Sequence, residues 1–128
     1  DSRFRQAENP FQEGFDYSVG EPLAPSVEID GLRWSLVRIA TRDGREVEAG
    51  KPNPVEVTVE FENVGEGSAT AQIILLLEDV RGNPVERLSL DAVKIPGGRF
   101  KSDVQKLKIE GDALLAMTRL YLFCEVAK

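Results

Sequence analysis

Chemistry in this chain would have to come from carboxylates, because the other usual carriers are nearly absent. There are 22 acidic and 16 basic side chains, no histidine and one cysteine, Cys124. Without histidine, neither a Ser-His dyad nor a histidine-ligated metal site can be assembled. One thiol cannot build a multi-cysteine zinc site within a single chain, nor an intramolecular disulfide. Acidic pairs of the kind that hydrolyse glycosides need two carboxyls at a fixed separation, and no spacing singles out such a pair. Glu78, Asp79 and Asn83 gather oxygen ligands near a glycine, but the regular D-x-D-x-D-G calcium loop is missing and a turn explains them more simply. No phosphate-binding glycine motif occurs. The expectation is a protein that is not an enzyme and carries no cofactor or metal.

Charge narrows the partners. The net charge is −6, with 14 acids against 7 bases in residues 1–66 and 8 against 9 in residues 67–128. An acidic chain is poorly suited to phosphate backbones, so no nucleic acid is expected. The one basic concentration, Arg99, Lys101, Lys106, Lys108 and Arg119, reads as the cross-strand counterpart of Glu56, Glu60 and Glu62, provided the two strands pair. No run of ~20 apolar residues is present to span a membrane as a helix.

The elements that would position these residues are strands. Val55, Val57, Val59 and Phe61 alternate with Glu56, Thr58, Glu60 and Glu62, a period of two that marks a half-buried strand. Turn chemistry follows at residues 63–67, and then the most apolar stretch, with Ile73, Ile74, Leu75, Leu76 and Leu77 in succession. That run is read as a strand whose second face also needs cover. Residues 50–54, Gly-Lys-Pro-Asn-Pro, read as a loop, since proline cannot join a ladder on both sides. Leu32, Trp34 and Leu36 are expected on one face, with a bulge or change of sheet after them. Phe100, Ser102 and Val104 are expected on the inward face of a later strand, and a bulge is placed near Gln105 and Lys106 to bring in Leu107 and Ile109. Residues 113–116 read as one helical turn capped by Asp112. The last strand puts Leu120, Leu122, Cys124 and Val126 on one face and Tyr121 and Phe123 on the other. Cys124 is thus a small core residue.

Residues 1–26 have no sustained period but hold Phe4, Phe11, Phe15 and Tyr17, four of the nine aromatics. Disordered tails are poor in aromatics. This stretch is therefore read as an extended N-terminal arm that wraps the domain or docks on a partner, and Phe15, Tyr17 and Val19 alternate as a short added strand would. Residues 27–128 are read as one antiparallel β-sandwich.

The segments VEVTVEFENVGEGSA, LLLEDVRGNPV and IPGGRF carry a family likeness. With Asn63 and Gly65, Asp79 and Gly82, and the Pro96-Gly97-Gly98 run at the turns, residues 50–110 resemble the immunoglobulin-like (fibronectin-III-like) sandwiches of bacterial envelope proteins, the cell-adhesion-related domains in particular. The likeness implies an adhesion, spacer or scaffold role outside the cytoplasm, in the periplasm, the envelope or secreted, and brings no catalytic residues with it. The chain starts at Asp1, which is read as a product whose leader or anchor has been removed. The functional expectation is a non-catalytic scaffold subunit of a larger envelope or membrane-associated assembly. It would bind a protein partner through Phe4, Phe11, Phe15 and Tyr17 as apolar anchors with Arg3 and Arg5 beside them. The alternatives are a carbohydrate- or ligand-binding module that uses Tyr121 and Phe123, and a homo-oligomer that builds a filament by lending its arm to a neighbour.

Overall fold

A computed structural model describes residues 14–128, which form ten strands and one short helix in two antiparallel sheets. The strands are β1 (Phe15–Asp16), β2 (Pro22–Leu23), β3 (Val27–Ile29), β4 (Leu32–Thr41), β5 (Pro52–Asn63), β6 (Ala69–Glu78), β7 (Pro84–Ser89), β8 (Val93–Ile95), β9 (Phe100–Glu110) and β10 (Arg119–Ala127), with α1 (Gly111–Ala116) before the last. Sheet A runs β1-β10-β6-β7, with β8 also on β6; sheet B runs β2-β4-β5-β9, with β3 also on β4. The all-β sandwich expected from the alternation is what forms.

Period-two patterning decides which side chains meet between the sheets. Val55, Val57, Val59 and Phe61 from sheet B are fully buried, as are Ala71, Ile73, Leu75 and Leu77 on β6 and Leu120 and Leu122 on β10. Trp34 stacks on Phe61 with ring centroids 5.2 Å apart. Each such aliphatic side chain contributes ~1.5–3 kcal/mol by leaving water, set against ~1–2 kcal/mol of backbone ordering per residue. Between β3 and β4, Asp30 and Gly31 both take positive φ (48° and 87°), the two-residue turn that matches strand twist.

Several local expectations need correction. Residues 52–54 are not a loop: Pro52, Asn53 and Pro54 pair with Glu110, Ile109 and Lys108. On β5's other side β4 has already ended at Thr41, opposite Val55, so the prolines interrupt no ladder there. The bulge in β4 falls at Ser35, between Trp34 and Leu36, and so turns Leu36 outward and brings Val37 and Ile39 into the core. No bulge occurs in β9, whose pairing with β5 is continuous from Pro52–Glu110 to Glu62–Phe100. Its inward row is Lys101, Asp103, Gln105, Leu107 and Ile109, while Phe100 and Val104 are 59% and 51% exposed. β9 is the edge of sheet B, and toward Phe100 its inward row turns polar, with Lys101 exposed. The helical turn has Glu110 at its cap position, without a side-chain bond; Asp112 accepts instead from the Gly50 N–H at 3.0 Å. Of the basic stripe only Lys106 stands opposite one of the three glutamates, Glu56. Lys101 and Lys108 face Phe61 and Pro54, and Arg119 lies in sheet A opposite Glu78, while Glu60 accepts from Ser102 at 2.9 Å and Glu62 pairs with Arg33.

Candidate interaction surface

The root of the arm belongs to the sandwich. Phe15 and Asp16 pair with Leu120 and Arg119 in sheet A, and Pro22 and Leu23 pair with Arg38 and Val37 in sheet B. The sheets therefore take in residues 15–23, ahead of Val27. Tyr17 sits between the two attachments and is only 2% exposed. Its backbone N–H donates to the Thr118 carbonyl at 3.0 Å, its hydroxyl donates to the Glu21 carbonyl at 2.6 Å, and the hydroxyl oxygen of Tyr17 accepts from the Ile39 N–H at 2.7 Å. Burial pushes the Tyr17 phenol up to about 12, against the opposing pull of the Ile39 hydrogen bond and Arg38. Gly20 adds two ties to the same strand: its N–H donates to Ile39 O at 2.6 Å and its carbonyl accepts from Arg38 Nε at 3.0 Å.

This geometry sorts the expected anchors. Tyr17 is a core residue with its hydroxyl committed inside its own chain, and has no surface left for a partner. Phe15 is half-buried and packs against the same core. Arg3, Phe4, Arg5 and Phe11 lie outside the described residues.

Beside the root lies the outer face of sheet A. Phe123 stands opposite Ile74, and Tyr121 opposite Leu76, which in turn faces Arg87 on β7. Ile74, Leu76, Phe123 and Arg87 line a shallow groove of about 330 Å³. This is the second face of the apolar run, the one the sequence left without a cover. The Tyr121 ring leans on Gly14, where a Cβ would come within 2.8 Å of it. Tyr121 and Phe123 are both half-buried on this face. Ile74 and Leu76 were legible as the even-numbered half of the run; Arg87 could be found only from the β6–β7 register.

The outer face of sheet B is built from charge. Arg33 bonds Glu62 at 2.9 Å and lies 3.7 Å from Glu28, all of them half-exposed. A hollow of about 650 Å³ opens to solvent near residues 42–47 between Arg38, Arg45, Glu46 and Glu56.

The remaining perturbed groups have structural causes. Asp79 is held below the ordinary aspartate range chiefly by the Asn83 N–H, with Arg81 N–H as a second donor, each 2.9 Å from Oδ1. Its carboxylate folds the β6–β7 turn. Glu48 is lowered by its hydrogen bond with Lys51, whose Nζ is 2.6 Å away. Burial, followed by Glu125 and Asp30, pushes the Cys124 thiol up to about 12, the reverse of an activated nucleophile. Among the described residues no three His, Cys, Asp or Glu side chains gather as a metal site, and no helix is long and apolar enough to cross a membrane.

Two asparagines are buried: Asn53, read from the sequence only as part of a loop, and Asn63, read as a turn residue and not as a core one. Asn53 Oδ1 accepts from Glu48 N–H, and its Nδ2 donates to the carbonyls of Glu48 and Lys51, each at 2.8 Å. Asn63 Oδ1 accepts from Gly65 N–H at 2.9 Å, and its Nδ2 donates to Gly67 O at 2.8 Å and Ile95 O at 3.0 Å. Both share the odd-numbered inward row of Val55–Phe61, the signal that could have found them. No family model matches the chain, and no curated protein matches it.

Proposed function

We propose that this chain is a non-catalytic interaction module: an immunoglobulin-like sandwich, similar to the cell-adhesion-related domains of bacterial envelopes, that docks into a larger envelope or membrane-associated assembly outside the cytoplasm through its N-terminal arm. The supporting observation is the way the arm is rooted. β1, Tyr17 and β2 tie residues 15–23 to both sheets, so residues 1–13 depart from a fixed point beside the apolar face of Ile74, Leu76 and Phe123. Aromatic and arginine side chains carry most interface energy when they fill a partner's pockets, and Phe4 flanked by Arg3 and Arg5 has that composition at the arm's tip. A fixed root lowers the ordering cost such a segment meets on binding.

The test uses assemblies purified from the protein's source and compared by native mass spectrometry. Replacing Arg3, Phe4 and Arg5 together by alanine is expected to remove the associated subunit while the unfolding midpoint stays within about 2 °C, since surface changes away from structural features shift stability by less than ~0.5 kcal/mol. An undiminished complex would refute docking through the arm.

A further inference from the structure

β9 is a long strand with a neighbour on one side. It pairs with β5 along its whole length, and among the described residues no strand lies on its other side. The ends of the ladder fix its phase: Asn63 N–H donates to Arg99 O at 2.8 Å, and Gly111 N–H donates to Lys51 O at 2.9 Å. Both bonds join odd-numbered residues, so alternation turns the odd-numbered main-chain groups of β9 toward β5. The N–H and C=O groups of Phe100, Ser102, Val104, Lys106 and Lys108 therefore point to the open edge. Their side chains form the outward row, and all five residues are exposed.

The same edge holds a basic concentration in a chain of net charge −6. Arg99, Lys101, Lys106 and Lys108 are exposed, and the ion pairs among the described residues lie elsewhere, at Arg33 and Lys51. Asp103, the acid between them, already accepts from Gln105 Nε2 at 2.9 Å. Edge lysines repel a second copy of the same strand, but they attract a strand of opposite charge. Phe100 and Val104 add apolar surface on the outward row. Beside the edge a hollow of about 430 Å³ opens between residues 103–107 and the Asp91-Ala92 connection, room for a side chain on the inward row of an added strand.

We propose that the open edge of β9 is a docking site for an extended acidic segment of a partner protein, which adds to sheet B as an antiparallel strand. Along the partner from N to C, acids fall opposite Lys108 and Lys106, an aliphatic residue opposite Val104, a further acid opposite Lys101 and an apolar residue opposite Phe100. Main-chain bonds at the even-numbered positions attach the segment, and the lysines select its charge. The site is separate from the N-terminal arm and does not depend on what the arm binds.

The test titrates the full chain with the acetylated and amidated peptide Glu-Thr-Glu-Thr-Val-Thr-Thr-Glu-Ile and follows amide exchange residue by residue. In the free chain the Ser102, Val104 and Lys106 amides are expected to exchange fast, while those of Asp103 and Gln105 are protected by β5. The peptide is expected to bind with a Kd below about 1 mM. At nine-tenths occupancy it should slow the three even-numbered amides by about tenfold. The double variant Lys106→Glu, Lys108→Glu should bind it at least about tenfold more weakly, and a peptide with lysine in its first and third places should recover the loss. Slow exchange at Ser102 and Val104 in the free chain overturns the proposal, because the edge would already be covered. So does a Kd above about 1 mM, or binding that leaves the three amides fast, readings that need only the unaltered chain. Equal binding of the acidic peptide by the double variant overturns it as well.

Discussion

Asn53 and Asn63 open and close the same strand and sit on the same inward row, yet they hold different things. Asn53 bonds only to the loop that precedes it, at Glu48 and Lys51. Asn63 shapes its own turn at Gly65 and Gly67 and also reaches Ile95, a strand of the other sheet. Each end adds a glycine set against a loop carbonyl, Gly111 against Glu48 and Gly97 against Glu66, with no room for a Cβ. Neither glycine has a positive φ, so the demand is for space alone. The difference teaches where polar groups matter in this sandwich. A bond within a loop fixes local shape, whereas one that crosses between sheets fixes how the layers sit on each other.

The glycines give the largest effects. Alanine at either Gly97 or Gly111 is expected to cost about 3 kcal/mol in urea-induced unfolding, the upper part of the range for forcing atoms into a packed site. A loss below ~0.5 kcal/mol at either would show that the loop carbonyl yields, and the two ends would no longer be alike. The asparagines then separate the ends. Asn63→Ala strands the buried Ile95 carbonyl and is expected to cost about 2 kcal/mol, while Asn53→Ala frees groups on a loop that water can reach and should cost about 1 kcal/mol. Equal losses would defeat the distinction between cross-sheet and local bonds.

What could be read from sequence follows the same division. The inward rows of β5, β6 and β10 were legible because a half-buried strand states its face in every second residue. β9 misled because Phe100 and Val104 are apolar yet outward, and at a sheet edge composition no longer reports burial. The prolines at 52 and 54 misled for a related reason: whether proline breaks a ladder depends on whether a neighbour is there, which only the register of β4 reveals. The parity of Asn53 and Asn63 was visible, but their partners were not, since main-chain carbonyls leave no mark in a sequence. The aromatic arm was legible as something that must be held. That Tyr17 belongs to the core while Phe15 lies at its margin was decided by a hydroxyl meeting the Ile39 N–H.

Tyr17 is a second cross-sheet tie, and pH sharpens the comparison. Tyr17→Phe is expected to cost about 1–2 kcal/mol near neutrality by orphaning the Ile39 N–H. The folded phenol titrates at about 12 against an ordinary 10.0, so the folded state holds its proton after the unfolded state has lost it. Its contribution is therefore complete below pH 10 and is lost as pH rises from 10 toward 12. Cys124 acts with the same sign from pH 9 upward, its thiol being raised from 9.0 to about 12. Urea midpoints followed from pH 8 to 11.5 should fall for the parent chain and fall less steeply for Tyr17→Phe. Identical slopes would mean the phenol is not buried as described.

The smallest effect is expected at Gln105, a cross-sheet tie exposed to water. Its amide bonds both ways to the main chain of Asp91, accepting from the N–H at 2.7 Å and donating to the carbonyl at 2.8 Å, and so straps the edge of sheet B to the β7–β8 connection of sheet A. Solvent can replace both bonds, so Gln105→Ala should cost only about 0.5 kcal/mol. The strap's role is then visible locally: exchange of the Asp91 amide should quicken several-fold, while amides in the middle of β5 keep their rates. If Gln105→Ala were instead to cost as much as Asn63→Ala, solvent exposure would not discount a bond between the layers, and the ranking would have to rest on which strands a side chain joins.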